Sequence, residues 1–472
     1  MAMFSAERQL EAAKSVFEHI GEHLDARFSV ELWDGTRIPL GKKVDTPFYV
    51  KIRSAGSVGS LIRRPTLENL VRAFATGDFE LHGGSMLEFG DIVRSKRRRK
   101  LFKNISKGHI ARNALPFLFA KDDSADRAEL EHEYDDDETG RKQRRRDEKK
   151  FIQFHYDLGN AFYKLFLDPE MQYSCAWFRD WAGSLEQAQK DKLEIICRKL
   201  RLKKDERFLD IGCGWGGLVC HAAQNFGVKA LGVTLSQEQH DFAVEKVVRL
   251  GLEDQVEIRL MDYREVEGEF DKIASIGMYE HIGIANYSEY FTKIYELLRD
   301  RGLVLNHGIT RHAKRNKKRY KKLRPEKRFI LKYIFPGSEL DHIGHTVEVM
   351  EAHRLEVHDV ETWREHYALT LRHWSRRLHA NREEAIKQVG PERMRMWEAY
   401  LAGVCFGFED GSLRIYQTLA SKHGKKGPSE LPASREDLYE GWPEPDRSCA
   451  DEVSTSDEGD ESVAGSEPDS DG

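Results

Sequence analysis

The chain has 472 residues, enough for two or three domains with real cores and too many for a peptide-sized binding module. Charged residues make up 33%, above the roughly 25% of an average soluble domain, and mean hydropathy is −0.63. No apolar run approaches the ~18 residues needed to cross a bilayer, and the opening MAMFSAERQLEAAKSVF lacks a signal-peptide core. The net charge of −5 hides a segregation: residues 442–472 hold eleven Asp or Glu against one Arg, a local −10, so the preceding body carries +5. The six cysteines (175, 197, 213, 220, 405, 449) form no CxxC pair, which argues against a disulfide framework or a cysteine metal site. A cytoplasmic protein with reduced thiols is expected.

In chain order, Leu10, Ala13, Val16, Phe17, Ile20 and Leu24 recur at spacings of three and four, predicting an amphipathic helix over 5–24. Short alternating strands follow (FSVELWDG, FYVKIRS), so residues 1–95 read as a small α+β domain. Residues 96–150 collapse into charge blocks around a short apolar patch, 114–120, and read as a linker with little core of its own. Aromatic density rises from 151, where a packed domain is expected to begin. Strand candidates RFLDIG, ALGVTL, VEIRLM, KIASIG and LVLNHG then alternate with helical patterns, predicting a mostly parallel, doubly wound sheet. Ser236 followed by Gln239 has the form of a capping box that starts a helix. After 340 the pattern reads as mainly helical to Lys422, closing a domain over 151–422, and 423–472 reads as a polar, acidic, disordered tail.

The run Asp210-Ile-Gly212-Cys-Gly214-Trp-Gly216-Gly217 ends the first strand of this sheet and opens a helix. Glycines there let the backbone turn tightly at the carboxyl edge, where doubly wound folds bind cofactors. A GxGxxG turn also suits a dinucleotide, but the acid expected about 20 residues on is absent from GVTLSQ. The preceding Asp instead makes the loop resemble the S-adenosylmethionine loop of class I methyltransferases.

The ordered series His155-Tyr156-Asp157-Leu158-Gly159-Asn160, Tyr173-Ser174-Cys175, LDIGCGWGG, GVTLSQEQ, GMYEHIG, YIFPG and HYALTLRHW resembles the cyclopropane fatty acid synthase and mycolic acid methyltransferase family over residues 151–422. The stretch RRPTLENLVRAFATGDFELHG resembles the extra N-terminal domain of bacterial cyclopropane synthases. The resemblance implies a Rossmann-like class I α/β sheet with an added helical lid. It implies that Tyr173, Ser174, Asp210, Gly212, Gly214, Thr234, Leu235 and Gln239 hold S-adenosylmethionine, with Asp262 and Tyr263 bordering the adenine. It also implies a bicarbonate ion beside the transferred methyl, held by the backbones of Cys175 and Ile309 and by Glu280, His307 and Tyr367, with Tyr279, Phe335 and Tyr367 facing a cationic intermediate.

The implied reaction is methylene transfer to an unsaturated phospholipid acyl chain. Relatives giving methylene- or methyl-branched products, and a non-catalytic lipid-binding protein, stay open as alternatives. Two basic runs, residues 94–103 with seven Lys or Arg and 311–328 with eleven, point to a polyanion. Given the implied substrate, this is read as peripheral docking on the anionic inner face of a membrane. The Asn/Asp-Pro-Pro-aromatic motif of base methylation is absent, so no nucleic-acid partner is expected, and a homodimer stays open. No metal site is expected: His342 and His345 form an HxxH without further ligands, and Cys405 reads as a buried thiol.

Overall fold

The computed structural model describes residues 4–24, 26–94, 106–120, 134, 148–156, 158–315, 325–424 and 427–442. Residues 95–103 and 316–324 of the basic runs, Asp157, and the acidic segment 443–472 lie outside the described residues.

The first helix, Ala6–His23, starts where Ser5 accepts the Arg8 N–H at 3.3 Å and buries Ala12 and Ala13. It covers a four-stranded sheet of order β2-β1-β3-β4, formed by Ser29–Glu31 (β1), Arg37–Pro39 (β2), Tyr49–Ile52 (β3) and Phe79–His82 (β4), in which only the β1/β3 pair is parallel. Part of the expected linker belongs to this unit. Helix Lys107–Leu118 seats Phe117, 1% exposed, in the same core as Ala13, Val30 and Ile38. Arg63 ties down its last turn by donating to the carbonyls of Phe117, Leu118 and Ala120. Ile110, Ala114, Phe117 and Ala120 recur at helical spacing, a face that a charge count over 96–150 averages away.

The second sheet has seven strands in the order β10-β11-β9-β8-β5-β6-β7. Arg207–Ile211 (β5), Lys229–Thr234 (β6), Val256–Leu260 (β7), Phe270–Ile276 (β8) and Leu298–Arg311 (β9) run parallel, as the sequence predicts. This is the doubly wound arrangement that the sequence resemblance implies, with two antiparallel strands added at one edge. Its strands are covered on both faces, and alternate side chains of β5 enter different cores: Phe208 joins Leu218 and Val247, while Leu209 and Ile211 join Tyr287 and Phe291.

The region after 340 is less helical than its sequence suggests. Leu355–Thr362 (β10) and Leu413–Lys422 (β11) are antiparallel strands, with β11 inserted between β10 and β9. Neither burial pattern alternates through its strand, long helices precede both, and the pairing comes from elsewhere: β11 pairs with β9, far away in sequence, and β10 pairs with β11.

Helices Arg364–Ala380 and Pro391–Glu409 form the lid and carry the aromatic core of Phe162, Phe166, Trp374 and Trp397. The N-terminal unit docks on this lid. Arg372 forms a bidentate pair with Asp91 at 2.9 Å, Arg94 meets Glu409 at 2.7 Å, and Gly90 lies so close to Phe406 that a Cβ there would sit 2.3 Å from the ring. At the other end, residues 427–442 are folded rather than part of a disordered tail. Leu438 is 3% exposed, Arg198 donates to the carbonyls of Leu438 and Glu440, and the Trp442 ring lies under the Arg198 guanidinium at 4.6 Å.

Candidate active site

At the carboxyl edge of the sheet, β5 ends in the glycine loop. Gly212 and Gly214 have φ of +81° and +54°, which L side chains rarely adopt, and a Cβ on Gly212 would press on Met278 at 3.0 Å. Gly216, also left-handed, opens helix Gly217–Phe226, whose N–H groups face the edge. The neighbouring β6 ends at Thr234, whose hydroxyl donates to Gln239 Oε1 at 2.9 Å. Ser236 caps the next helix as its sequence predicts, accepting from the Gln239 N–H.

These turns enclose an open-mouthed cleft of about 960 Å³. Tyr173, Ser174, Asp210, Gly212, Gly214, Thr234, Leu235, Gln239 and Tyr263 all line it. Asp262 does not: its carboxylate accepts the Arg264 N–H at 2.9 Å, caps the short turn after β7 and pairs with the Arg264 guanidinium.

The cleft lining also holds two buried ionisable side chains, Lys192 and Asp210, of which the sequence reading passed over the first. Lys192, 1% exposed, donates from Nζ to Gln172 Oε1 at 2.5 Å and to Ser174 Oγ at 3.0 Å. Burial pushes the ammonium down to about 8, opposed by Asp168, Cys175 and Asp210. Burial pushes Asp210 up to about 7, with Lys192 opposing, and its Oδ1 has no partner among the described residues. The sequence signal was available: Gln189, Lys192, Ile196 and Lys199 share one buried face of helix Leu185–Lys199, so two lysines sit on an apolar stripe.

The residues expected to act on the intermediate lie beyond this cleft. Glu280 follows β8 on the one-turn helix Tyr279–Ile282, and its Oε1 accepts the Ile309 N–H at 2.6 Å. Its Oε2 is buried without a partner among the described residues, and burial raises the carboxyl to about 7 against the opposing backbone N–H groups of Ile309 and of Glu280 itself. The Ile309 amide is therefore spent on Glu280. His307, on β9, touches Gln417 Nε2 through Nδ1 at 3.2 Å and Trp363 edge-on at 4.9 Å. Its Nε2 has no partner among the described residues, and burial holds the ring well below its ordinary pKa.

Tyr367 projects from the lid against Phe408. Its hydroxyl is raised first by burial, then by the nearby charges of Tyr400, Cys175, Glu280 and Tyr156. Cys175 is fully buried, with its thiol on the carbonyls of Ala176 and Trp363. Tyr400, Cys175, Glu280 and Tyr156 thus all lie near the Tyr367 hydroxyl, and the sequence reading did not name Tyr400. Tyr400 OH lies 3.5 Å from Tyr173 OH, joining the two halves of the site.

Two expected aromatics part company. Phe335 stacks on His155 at 3.7 Å beside Tyr400, whereas Tyr279 turns away to stack on Tyr287 at 4.2 Å and bond Thr346 within the sheet's core. His342 Nδ1 caps its helix, and His345 pairs with Asp341 at 2.6 Å. Ligand-type atoms of His19, Glu22 and His23 lie within 4.8 Å of one another. However, His19 accepts the Ser106 N–H and His23 bonds the His19 carbonyl, so both rings serve local structure. Cys405 is a buried thiol on the carbonyl of Ala368, as expected.

A family described as Mycolic acid cyclopropane synthetase matches residues 142–418. The chain is similar to a "Probable fatty acid methyltransferase" of Pseudomonas putida, 38% identical over 425 residues, covering 88% of this chain and 97% of the relative. It is similar to the cyclopropane-fatty-acyl-phospholipid synthase of Escherichia coli K12, 38% identical over 273 residues, covering 58% and 68%. Among solved structures, mycolic acid cyclopropane synthase CmaA1 complexed with SAH and CTAB superposes with a TM-score of 0.55 at 32% identity, covering 58% of this chain and 98% of that one.

Proposed function

The chain belongs to the mycolic acid cyclopropane synthetase family and is an S-adenosylmethionine-dependent methyltransferase of that kind; from this premise we propose that it transfers a methylene unit to the double bond of an unsaturated phospholipid acyl chain and closes a cyclopropane. The observation that carries the reading is two buried polar atoms with no partner among the described residues, Glu280 Oε2 and His307 Nε2. Methyl transfer to a hydroxyl also sheds a proton, but transfer to an alkene leaves a carbon cation that must lose one, and the family match over residues 142–418 favours the alkene.

In the proposed reaction, the alkene π pair attacks the sulfonium methyl and the C–S bond pair leaves with sulfur. The resulting carbocation loses one proton from the new methyl, and that C–H pair closes the ring. An alkene is a poor nucleophile, so alignment in a dry pocket supplies much of the rate. Ser174, Gly212, Gly214 and Gln239 hold the cofactor's polar end in this reading, while the faces of Tyr156, Tyr367 and Phe335 steady the positive charge. Glu280, His307 and Tyr367 would hold a bicarbonate ion, which when bound supplies the base for that proton.

A second reading rests on the long similarity to the probable fatty acid methyltransferase, which includes the N-terminal unit. Here the same cation loses its proton elsewhere and yields a methylene-branched chain, which becomes a saturated methyl branch only where a separate hydride donor and a proton add two hydrogens. Incubation with labelled S-adenosylmethionine and an unsaturated phospholipid decides between them. Cyclopropane and methylene products are isomers separated by NMR, and a saturated methyl branch is heavier by two hydrogens. Label found only in protein, with none in lipid, would reject both readings.

Delivery of such a substrate requires access to a membrane, and no described helix is long and apolar enough to cross one. We assign docking to the basic runs at 94–103 and 311–328, where each Lys or Arg near an anionic surface contributes about 1 kcal/mol, screened by salt. Binding to anionic vesicles should fall steeply with salt; equal binding to neutral vesicles would reject the assignment.

A further inference from the structure

Gln417 lies directly opposite His307 in the β11/β9 ladder and directly opposite Glu361 in the β10/β11 ladder, so the three form one row across three strands. Lys199 closes the row from the helix beneath. Its Nζ donates to Gln417 Oε1 at 2.7 Å and pairs with the Glu361 carboxylate. Gln417, His307 and Lys199 are each no more than 2% exposed, so no water competes for these bonds.

The chemistry of the row leaves little freedom. An ammonium only donates, so the amide oxygen must face Lys199, and the Glu361 carboxylate beside it favours the charged amine. The amide nitrogen must then face His307, as it does at 3.2 Å, and it too only donates. Nδ1 is therefore the acceptor and carries no proton. The proton of the neutral ring sits on Nε2, the atom with no partner among the described residues.

We propose that Lys199 and Gln417 are positioning residues that lock His307 in its Nε2–H tautomer, so that this ring presents a hydrogen-bond donor, and never a base, to whatever binds at its Nε2 edge. The consequence for the reaction rests on the bicarbonate reading above: His307 orients an anion, and the proton of the transferred methyl does not pass to its ring. The tautomer itself stands apart from that reading.

Long-range nitrogen NMR of the full chain carrying labelled histidine reads the tautomer directly, with His307→Gln identifying the resonance. The wild type should show Nε2 protonated and Nδ1 bare. In Gln417→Glu the new carboxylate accepts on both sides, so Nδ1 should gain a proton, while Lys199→Met frees the amide to turn and should give a mixture. In both variants half-saturating bicarbonate should rise about tenfold, the loss of one hydrogen bond to a charged group, with cofactor affinity unchanged. A wild-type ring protonated on Nδ1, or an Nε2–H ring unaltered in both variants, overturns the proposal. If the tautomer shifts as expected but turnover ignores bicarbonate in every form, the tether stands and the carbonate reading fails. If Gln417→Glu does not fold, Lys199→Met and the wild-type spectrum still decide the question.

Discussion

The cofactor cleft and the proposed anion pocket of Glu280, His307 and Tyr367 are built by different means. The cleft is made of backbone: left-handed glycines at 212, 214 and 216, the capped start of the helix at Ser236, and strand ends, all local in sequence. The pocket is made of side chains brought from β8, β9, β11 and the lid, held where burial shifts their protonation: Glu280 up to about 7, His307 well down. One recognises a ligand by shape, the other by placing hydrogen-bonding atoms that cost free energy to bury and are left unpaired until something binds. Changes in the two regions should therefore fail differently, by affinity in the cleft and by turnover in the pocket.

The sharpest test replaces Glu280 by Gln, which keeps the shape but trades an acceptor oxygen for a donor. Turnover is expected to fall by about 10² or more, with cofactor affinity by calorimetry unchanged; equal losses of both would erase the distinction. His307→Ala and Tyr367→Phe should be less than additive with it if the three serve one bound anion.

Gly212→Ala should do the reverse. A β-carbon at φ +81° against Met278 costs on the order of 1–3 kcal/mol. The expected result is cofactor binding about tenfold to a hundredfold weaker, with turnover at saturating cofactor close to wild type.

The protonation of the pocket can be read through stability. Glu280 is neutral more readily in the folded chain than in the unfolded one. Its favourable contribution is therefore complete below pH 4.5 and is lost as pH rises to about 7, a change of about 3 kcal/mol at most. Asp210 acts in the same sense from 3.8 to about 7, while the buried rings of His155 and His307 oppose both by destabilising the fold below 6.5. The difference between wild type and Glu280→Gln in denaturant unfolding isolates Glu280. It should grow in the variant's favour between pH 5 and pH 8, and a flat difference would mean that the carboxyl is hydrated.

The smallest effect concerns the C-terminal boundary. Truncation after residue 442 should leave stability within about 0.5 kcal/mol of the full chain. Truncation after residue 430 removes Leu438 and the Trp442 ring packed on Arg198, and should cost about 2 kcal/mol or more. Equal midpoints for the two would return residues 427–442 to the tail.

What the sequence by itself determined is the part of the molecule written in local rules. Glycines that require positive φ, a capping serine, and apolar runs of strand length located β5 to β9 and the glycine loop; the family resemblance supplied the ten cofactor candidates, of which nine line the cleft, while Asp262 pairs with Arg264, two residues away. The family motifs supplied Glu280 and His307 by position. Only the tertiary structure made β10 and β11 strands: β11 acquires its hydrogen-bond partners from β9, far away in sequence, and β10 acquires its own from β11. With β11 came Gln417, and with the helix packed beneath it Lys199, neither of which carries a motif. The physical reason is one of range. A turn or cap is decided within a few residues, whereas the proton on His307 is decided by a row of donors and acceptors drawn from a helix and three strands more than 200 residues apart along the chain, and it exists only once all of them are buried together.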